Sequence, residues 1–154
     1  MVVYYSWSGN TRAYAEELAK QKGLSVFELK EKAERKAGKL AFLKACVQAV
    51  MRKSVEVASM PDLAGCDEIF VCTPIWASGP APAVRFFIEK ADLKDKTVHF
   101  LFTCGDAEPE SYKEHVLGLV KDKGCVVGNA YGFAVKMKQA VDSKTVEEHI
   151  GGML

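Results

Sequence analysis

Apolar stretches of strand length alternate with helix-patterned stretches along the whole chain, and that alternation limits the fold more than any other feature. MVVYYS reads as a first strand. Residues 11–22 follow with a helical pattern that puts Tyr14, Ala15, Leu18 and Ala19 on one face and stops at Gly23. LSVFELK (24–30) alternates apolar and polar residues, as a strand near a sheet edge does. Leu40, Leu43, Val47 and Val50 form a helical stripe from residue 39 onward, while 31–38 reads equally as helix or loop, with Gly38 marking a break. A buried strand runs from Glu68 to Thr73. The next helix has Pro80 and Pro82 near its start, where a missing N–H costs little, and an apolar face of Val84, Phe87, Ile88 and Ala91. KTVHFLFT (96–103) is a further strand. A helix from Pro109 carries Tyr112, Val116, Leu119 and Val120 and ends at Gly124. Residues 125–136 give a fifth strand with weak glycine positions. A last helix spans 143–150, capped by Asp142 or Ser143, with Glu147 placed for a capping box. Five strands alternating with five helices predict one α/β domain over 1–154: a three-layer α/β/α sandwich whose five-stranded parallel sheet is covered on both faces.

The totals exclude several function classes. With 49% apolar and 27% charged residues, disordered and fibrous classes are excluded. A net charge of +1 gives no global argument for nucleic acid. The charge is uneven: residues 12–53 carry +6 and residues 54–154 carry −5, a pattern of solvated helix faces or of a molecule that orients a charged partner. No apolar run reaches the ~18 residues that span a bilayer, so no membrane insertion is expected. MVVYY is too short for a signal-peptide core and polar residues follow it, so a cytoplasmic location is expected. Five scattered cysteines without a C-x-x-C pair, and three histidines far apart, predict neither a disulfide framework nor a metal site.

Chemistry concentrates where the first strand meets the first helix, at Ser6, Trp7, Ser8, Gly9, Asn10 and Thr11. In a parallel sheet, ligands sit beyond the carboxyl ends of the strands, where the strand order reverses. A helix beginning there offers unpaired amides and roughly half a positive charge from its dipole. Ser6, Ser8 and Thr11 add hydroxyls, Asn10 an amide, and Gly9 lets the backbone approach closely. A mere helix cap needs one such residue, and here four polar side chains and a glycine fill six positions. No lysine lies inside the loop, unlike the G-x-x-x-x-G-K-[ST] loop that grips the outer phosphates of nucleotides. A neutral cradle suits a single terminal phosphate.

Over this loop the chain resembles the flavodoxin family, whose phosphate loop follows [ST]-x-[ST]-G-N-T. The resemblance extends along essentially the whole chain. TPIWASGPAPAVRFFIEK looks like the family's second loop and TCGDAEPESY occupies the place of its third. It implies strand order 2-1-3-4-5 in the short-chain form, and FMN as a non-covalent cofactor. It further implies that Ser6, Ser8, Gly9, Asn10 and Thr11 hold the phosphate, and that Trp76 lies against the flavin ring. Trp7 either shields the phosphate or ribityl chain or packs on a neighbouring loop. Pro74, Ile75, Ala77, Ser78 and Gly79 make up the rest of the second loop, with Gly79 allowing a peptide flip beside the ring. Thr103, Cys104, Gly105 and Asp106 approach the pyrimidine edge, and Cys104 is expected to be a bystander. The third loop has no aromatic before Tyr112, so one ring face is either open or covered by Tyr112 or a partner chain. Residues 103–114 carry a net −3, a sign that disfavours reduced, anionic flavin and lowers its potential.

Two functions fit these features. The first is an electron-transfer flavoprotein that cycles FMN between redox partner proteins, a reductase and an acceptor, with no catalytic residues of its own. The alternative is an FMN-dependent NAD(P)H oxidoreductase acting on a quinone or similar small-molecule acceptor. A phosphorylatable receiver domain shares the strand order but needs acidic magnesium ligands after its first strand, where this chain has serines.

Overall fold

The computed structural model describes residues 1–33, 39–105, 108–136 and 139–153. Its strands are Val2–Tyr4 (β1), Val26–Glu28 (β2), Glu68–Trp76 (β3), Gly79–Pro80 (β4), Thr97–Cys104 (β5) and Val126–Ala134 (β6). Its α-helices are Asn10–Lys22 (α1), Lys39–Val50 (α2), Pro82–Lys90 (α3), Lys113–Gly118 (α4) and Ser143–Met153 (α5), and a 3₁₀ turn spans Pro109–Tyr112. The sheet runs β2-β1-β3-β5-β6, every neighbouring pair parallel, and β4 folds back antiparallel onto the end of β3. Counted over the parallel strands alone, this is the expected 2-1-3-4-5 order, with β2 at an edge.

Both faces of the sheet are covered, which is why its central strands read as unbroken apolar runs. On one face, α1 and α5 lay Tyr14, Ala15, Leu18, Val146 and Ile150 against Val2, Tyr4, Phe70, Cys72 and Leu101. On the other, α3, α4 and the turn after α4 place Val84, Phe87, Ile88, Val116 and Val120 against Val3, Val71, Phe100 and Phe102. Successive side chains of a strand point to opposite faces, so neighbours such as Val2 and Val3 feed different cores.

Several elements depart from the sequence reading. Strand β3 runs three residues past Thr73, because Ile75 and Trp76 pair with Pro80 and Gly79 of the additional strand β4. The helix expected from Pro109 opens as a 3₁₀ turn before α4 begins. Asp142, rather than Ser143, caps α5: its carboxylate accepts from the Thr145 N–H at 3.1 Å, so Thr145 and not Glu147 faces the cap. On α2 the apolar stripe faces outward, with Leu43 60%, Val47 48% and Val50 68% exposed. Glu31 bridges antiparallel to Val57, and residues 34–38 of the ambiguous segment lie outside the described residues. Among the described residues no helix is long and apolar enough to cross a membrane.

Candidate functional site

The strand order reverses between β1 and β3, so the segments leaving their carboxyl ends flank one crevice. The first segment, Tyr5–Gly9, enters α1 through Gly9, whose φ of +92° is a left-handed conformation that a side chain would strain. The Gly9 N–H donates to Ser6 Oγ at 3.1 Å, which closes the loop on itself. No side chain caps α1. The amides of Asn10, Thr11 and Arg12 open the helix and have no carbonyl one turn earlier to bond.

The loop's side chains divide into two groups. Ser8 is exposed, while Ser6 and Trp7 are half-buried. Asn10 and Thr11 are turned inward, only 4% and 2% exposed. Asn10 donates to the Gln139 carbonyl at 3.1 Å and accepts from the Val141 N–H at 3.0 Å, tying the loop to the segment after β6. The Thr11 and Thr103 hydroxyls lie 2.8 Å apart, tying the start of α1 to the end of β5. What these two residues offer the crevice is therefore their backbone. Arg12 adds no net charge, because its guanidinium pairs with the Glu28 carboxylate and donates to the Tyr4 hydroxyl.

The Thr11–Thr103 pair gives the first prediction. Thr11→Val alone leaves a buried hydroxyl unsatisfied and should cost about 1–3 kcal/mol, and Thr103→Val the same. The double substitution removes both polar groups and should recover most of that loss. Urea unfolding of the three variants measures it, and a double variant whose cost equals the sum of the singles would reject the coupling.

The second segment is a tight hairpin. Trp76 pairs with Gly79, and Ala77 and Ser78 turn between them with φ of +46° and +66°. Two-residue hairpins of this twist require positive φ at both central positions, which costs an L-residue roughly 1–2 kcal/mol. The strain of the turn thus falls on Ala77 and Ser78 and not on Gly79. Gly79 lies in β4, where a Cβ would come within 3.2 Å of Arg85 Nη2. Thr73 Oγ1 accepts from the Ala81 N–H at 3.1 Å, holding the base of the hairpin to the start of α3. Pro74 and Ile75 are half-buried in the last turns of β3.

Trp76 joins the two segments. Its ring stands edge-on to Trp7 at 5.3 Å between centroids and to Tyr5 at 5.7 Å. Trp7 thus touches the neighbouring loop through Trp76. All three rings are part of one apolar wall, with Trp7 and Trp76 half-exposed. The third segment contributes buried Thr103 and Cys104 and exposed Gly105. Cys104 lies with Sγ 4.0 Å from the Phe133 carbonyl. Asp106 lies outside the described residues.

One group of residues escaped the sequence reading. A cleft of about 370 Å³ opens against the hairpin turn, lined by Ala77, Ser78 and Gly79 together with Arg52, Arg85, Tyr112 and His115. Burial lowers the pKa of Arg85, with the charge of Arg52 acting the same way and Glu89 opposing it. Burial also holds His115 below the usual histidine range, and Arg52 and Arg85 push it further down. No local pattern announces them, because they are 30 or more residues apart in pairs.

The chain matches no family model and no curated protein. Solved structures do resemble it. A candidate flavoprotein from Bacteroides uniformis superposes with a TM-score of 0.79 at 21% identity, covering 98% of this chain and 96% of that one. A flavoprotein in complex with FMN from Lactobacillus acidophilus gives 0.69 at 21% identity, covering 85% and 90%. Oxidised flavodoxin 1 from Bacillus cereus gives 0.59 at 15% identity, covering 98% and 91%. With the parallel order of its five main strands and this overlap along nearly the whole length, the chain has the flavodoxin-like fold.

Proposed function

We propose that this protein binds FMN non-covalently and carries electrons between a reductase and an acceptor protein in the cytoplasm. The observation that carries the reading is the uncapped start of α1, closed by the Ser6–Gly9 turn, beside the half-exposed ring of Trp76. A terminal phosphate takes the free amides at Asn10, Thr11 and Arg12 and the hydroxyl of Ser8. The absence of net charge in the loop suits hydrogen-bonded capture of a phosphate. Trp76 supplies the apolar wall for a flat ring, an aromatic contact of about 0.5–1.5 kcal/mol beyond burial. The complex of the Lactobacillus acidophilus relative with FMN supports the choice of cofactor.

The flavin, when bound, supplies the redox chemistry. The chain's part is to hold and orient it. The inward hydrogen bonds of Asn10 and Thr11 keep the loop in place without using the amides that face outward. The strained turn at Ala77–Ser78 holds Trp76 next to Trp7. The cleft beyond that turn favours a second reading, an FMN-dependent NAD(P)H oxidoreductase, since it offers a small molecule a place beside the hairpin. Steady oxidation of NADH or NADPH by a quinone, with no reductase added, would select that reading.

Titration of the purified protein with FMN and with riboflavin tests the proposal. FMN should quench tryptophan fluorescence and leave the protein yellow. Riboflavin lacks the phosphate and should bind about 100-fold more weakly, the loss expected with one or two charge-assisted hydrogen bonds. Equal affinity for the two would remove the loop from the site, and no quenching by either would reject flavin binding altogether.

A further inference from the structure

The cleft against the hairpin turn collects positive charge, and the acidic group acting on Arg85, Glu89, is not among its lining residues. Arg52 follows α2, Arg85 lies on α3 and His115 on α4, so three elements converge there. Their approach is close: a Cβ on Gly79 would lie 3.2 Å from Arg85 Nη2 and 3.8 Å from His115 Nε2. The cleft is lined by no acidic residue, and among the described residues neither guanidinium has an ion-pair partner within reach of a salt bridge. Half-burying the Arg85 guanidinium and the His115 imidazole beside the exposed Arg52 groups like charges, which an anion would relieve. The rest of the wall is mixed: the Tyr112 ring and the exposed Val50 side chain stand beside Ser78 and Ser111. A space of about 370 Å³ is within the range of small-molecule sites.

We propose that this cleft binds a small organic oxyanion, a phosphate monoester or a carboxylate on a flat apolar body. Arg52 and Arg85 grip the anionic end, His115 lies beside it, and Tyr112 and Val50 receive the body. Paired guanidinium forks match the planar or tetrahedral arrangement of such oxygens better than a lysine would. The site is distinct from the loop at the start of α1, and it shares the Ala77–Gly79 turn with the second loop read above as cofactor-binding. Its place against Ala77–Gly79 puts the ligand one turn from Trp76 along the chain.

Proton NMR of the imidazole resonances tests this, with His115→Gln assigning the relevant signal. Phenyl phosphate, benzoate and benzyl alcohol are titrated separately into protein with and without saturating FMN. Phenyl phosphate should shift the His115 signal saturably and more tightly than benzoate, and benzyl alcohol should leave it in place. Arg52→Gln and Arg85→Gln should each weaken phenyl phosphate about tenfold or more, as loss of a charge-assisted hydrogen bond does, with FMN affinity kept within about twofold. Arg52 is exposed, so its variant reports even if the Arg85 change disturbs packing. Phenyl phosphate binding that is indifferent to both substitutions would overturn the proposal. So would equal binding of benzyl alcohol, or displacement of phenyl phosphate by FMN. A protein that takes phenyl phosphate at His115 but no flavin would reject the function proposed above and leave this inference standing.

Discussion

Ser8→Asp is expected to lower FMN affinity about 100-fold while leaving riboflavin affinity unchanged. Ser8 is the exposed hydroxyl of the loop between β1 and α1, one residue before the left-handed Gly9. A carboxylate there meets a dianionic phosphate at short range, and juxtaposed like charges cost several kcal/mol, of which about 2.7 is a factor of 100. The surrounding structure should tolerate the change. An exposed position away from packing moves stability by roughly 0.5 kcal/mol or less, so thermal unfolding should match the parent. Ser8→Asn has the same shape without the charge and should keep FMN within about tenfold, which separates repulsion from lost donation. The effect should shrink as salt rises, since the position is open to screening over about 10 Å at 0.1 M. FMN titrations of the three proteins at two salt concentrations check all of this. An unchanged FMN affinity in Ser8→Asp would place the phosphate elsewhere.

The parts of this molecule visible in its sequence are those that local patterning specifies. The alternation of strand and helix periods predicts a parallel sheet, because each buried strand needs helices on both sides, and the sheet has that form. The run Ser6–Thr11 stands out because a strand-to-helix junction rarely needs so many small polar residues. What those residues do individually was not legible. Asn10 and Thr11 find their partners at Gln139, Val141 and Thr103, more than 90 positions away, and no spacing rule reaches that far. The apolar run marks β3 only as far as Thr73, yet Gly79–Pro80 pairs back onto Ile75 and Trp76 and prolongs it. Residue type points to Gly79 as the flexible position of this loop and gives no sign that the hairpin twist places positive φ at Ala77 and Ser78 before it. The stripe on α2 has a helical period, and period says only that one face is apolar, not that anything covers it. Arg52, Arg85 and His115 each look like ordinary surface charge until the chain crossings bring them together.

Gly132→Ala is expected to destabilise the protein by about 3 kcal/mol, among the larger effects of overpacking a core. The weak strand glycines of β6 are explained by close approach, not by conformation. Gly132 stands opposite Phe102 in the β5–β6 register. A Cβ there would sit 2.5 Å from Cε2 and Cζ of Phe102 and 2.7 Å from Cβ of Pro109. Phe102 is fully buried and already edge-on to Tyr112 at 6.3 Å, so its ring cannot swing away freely. Relief must come from the 3₁₀ turn that Pro109 opens, which carries Tyr112 into the wall of the basic cleft. At this chain length each kcal/mol moves the melting temperature by about 2–4 °C, so Tm should fall by about 6–12 °C. Gly151→Ala is the matched comparison. Gly151 lies in α5 with no atom within 4 Å of a Cβ, so the same added methyl should stabilise the helix by about 0.5–1 kcal/mol. The opposite signs expected for one chemical change separate steric crowding from helix propensity. If Gly132→Ala melts with the parent protein, the Phe102 ring has room that the packing of β6 against β5 denies it, and the link from Gly132 through Pro109 to the cleft fails with it.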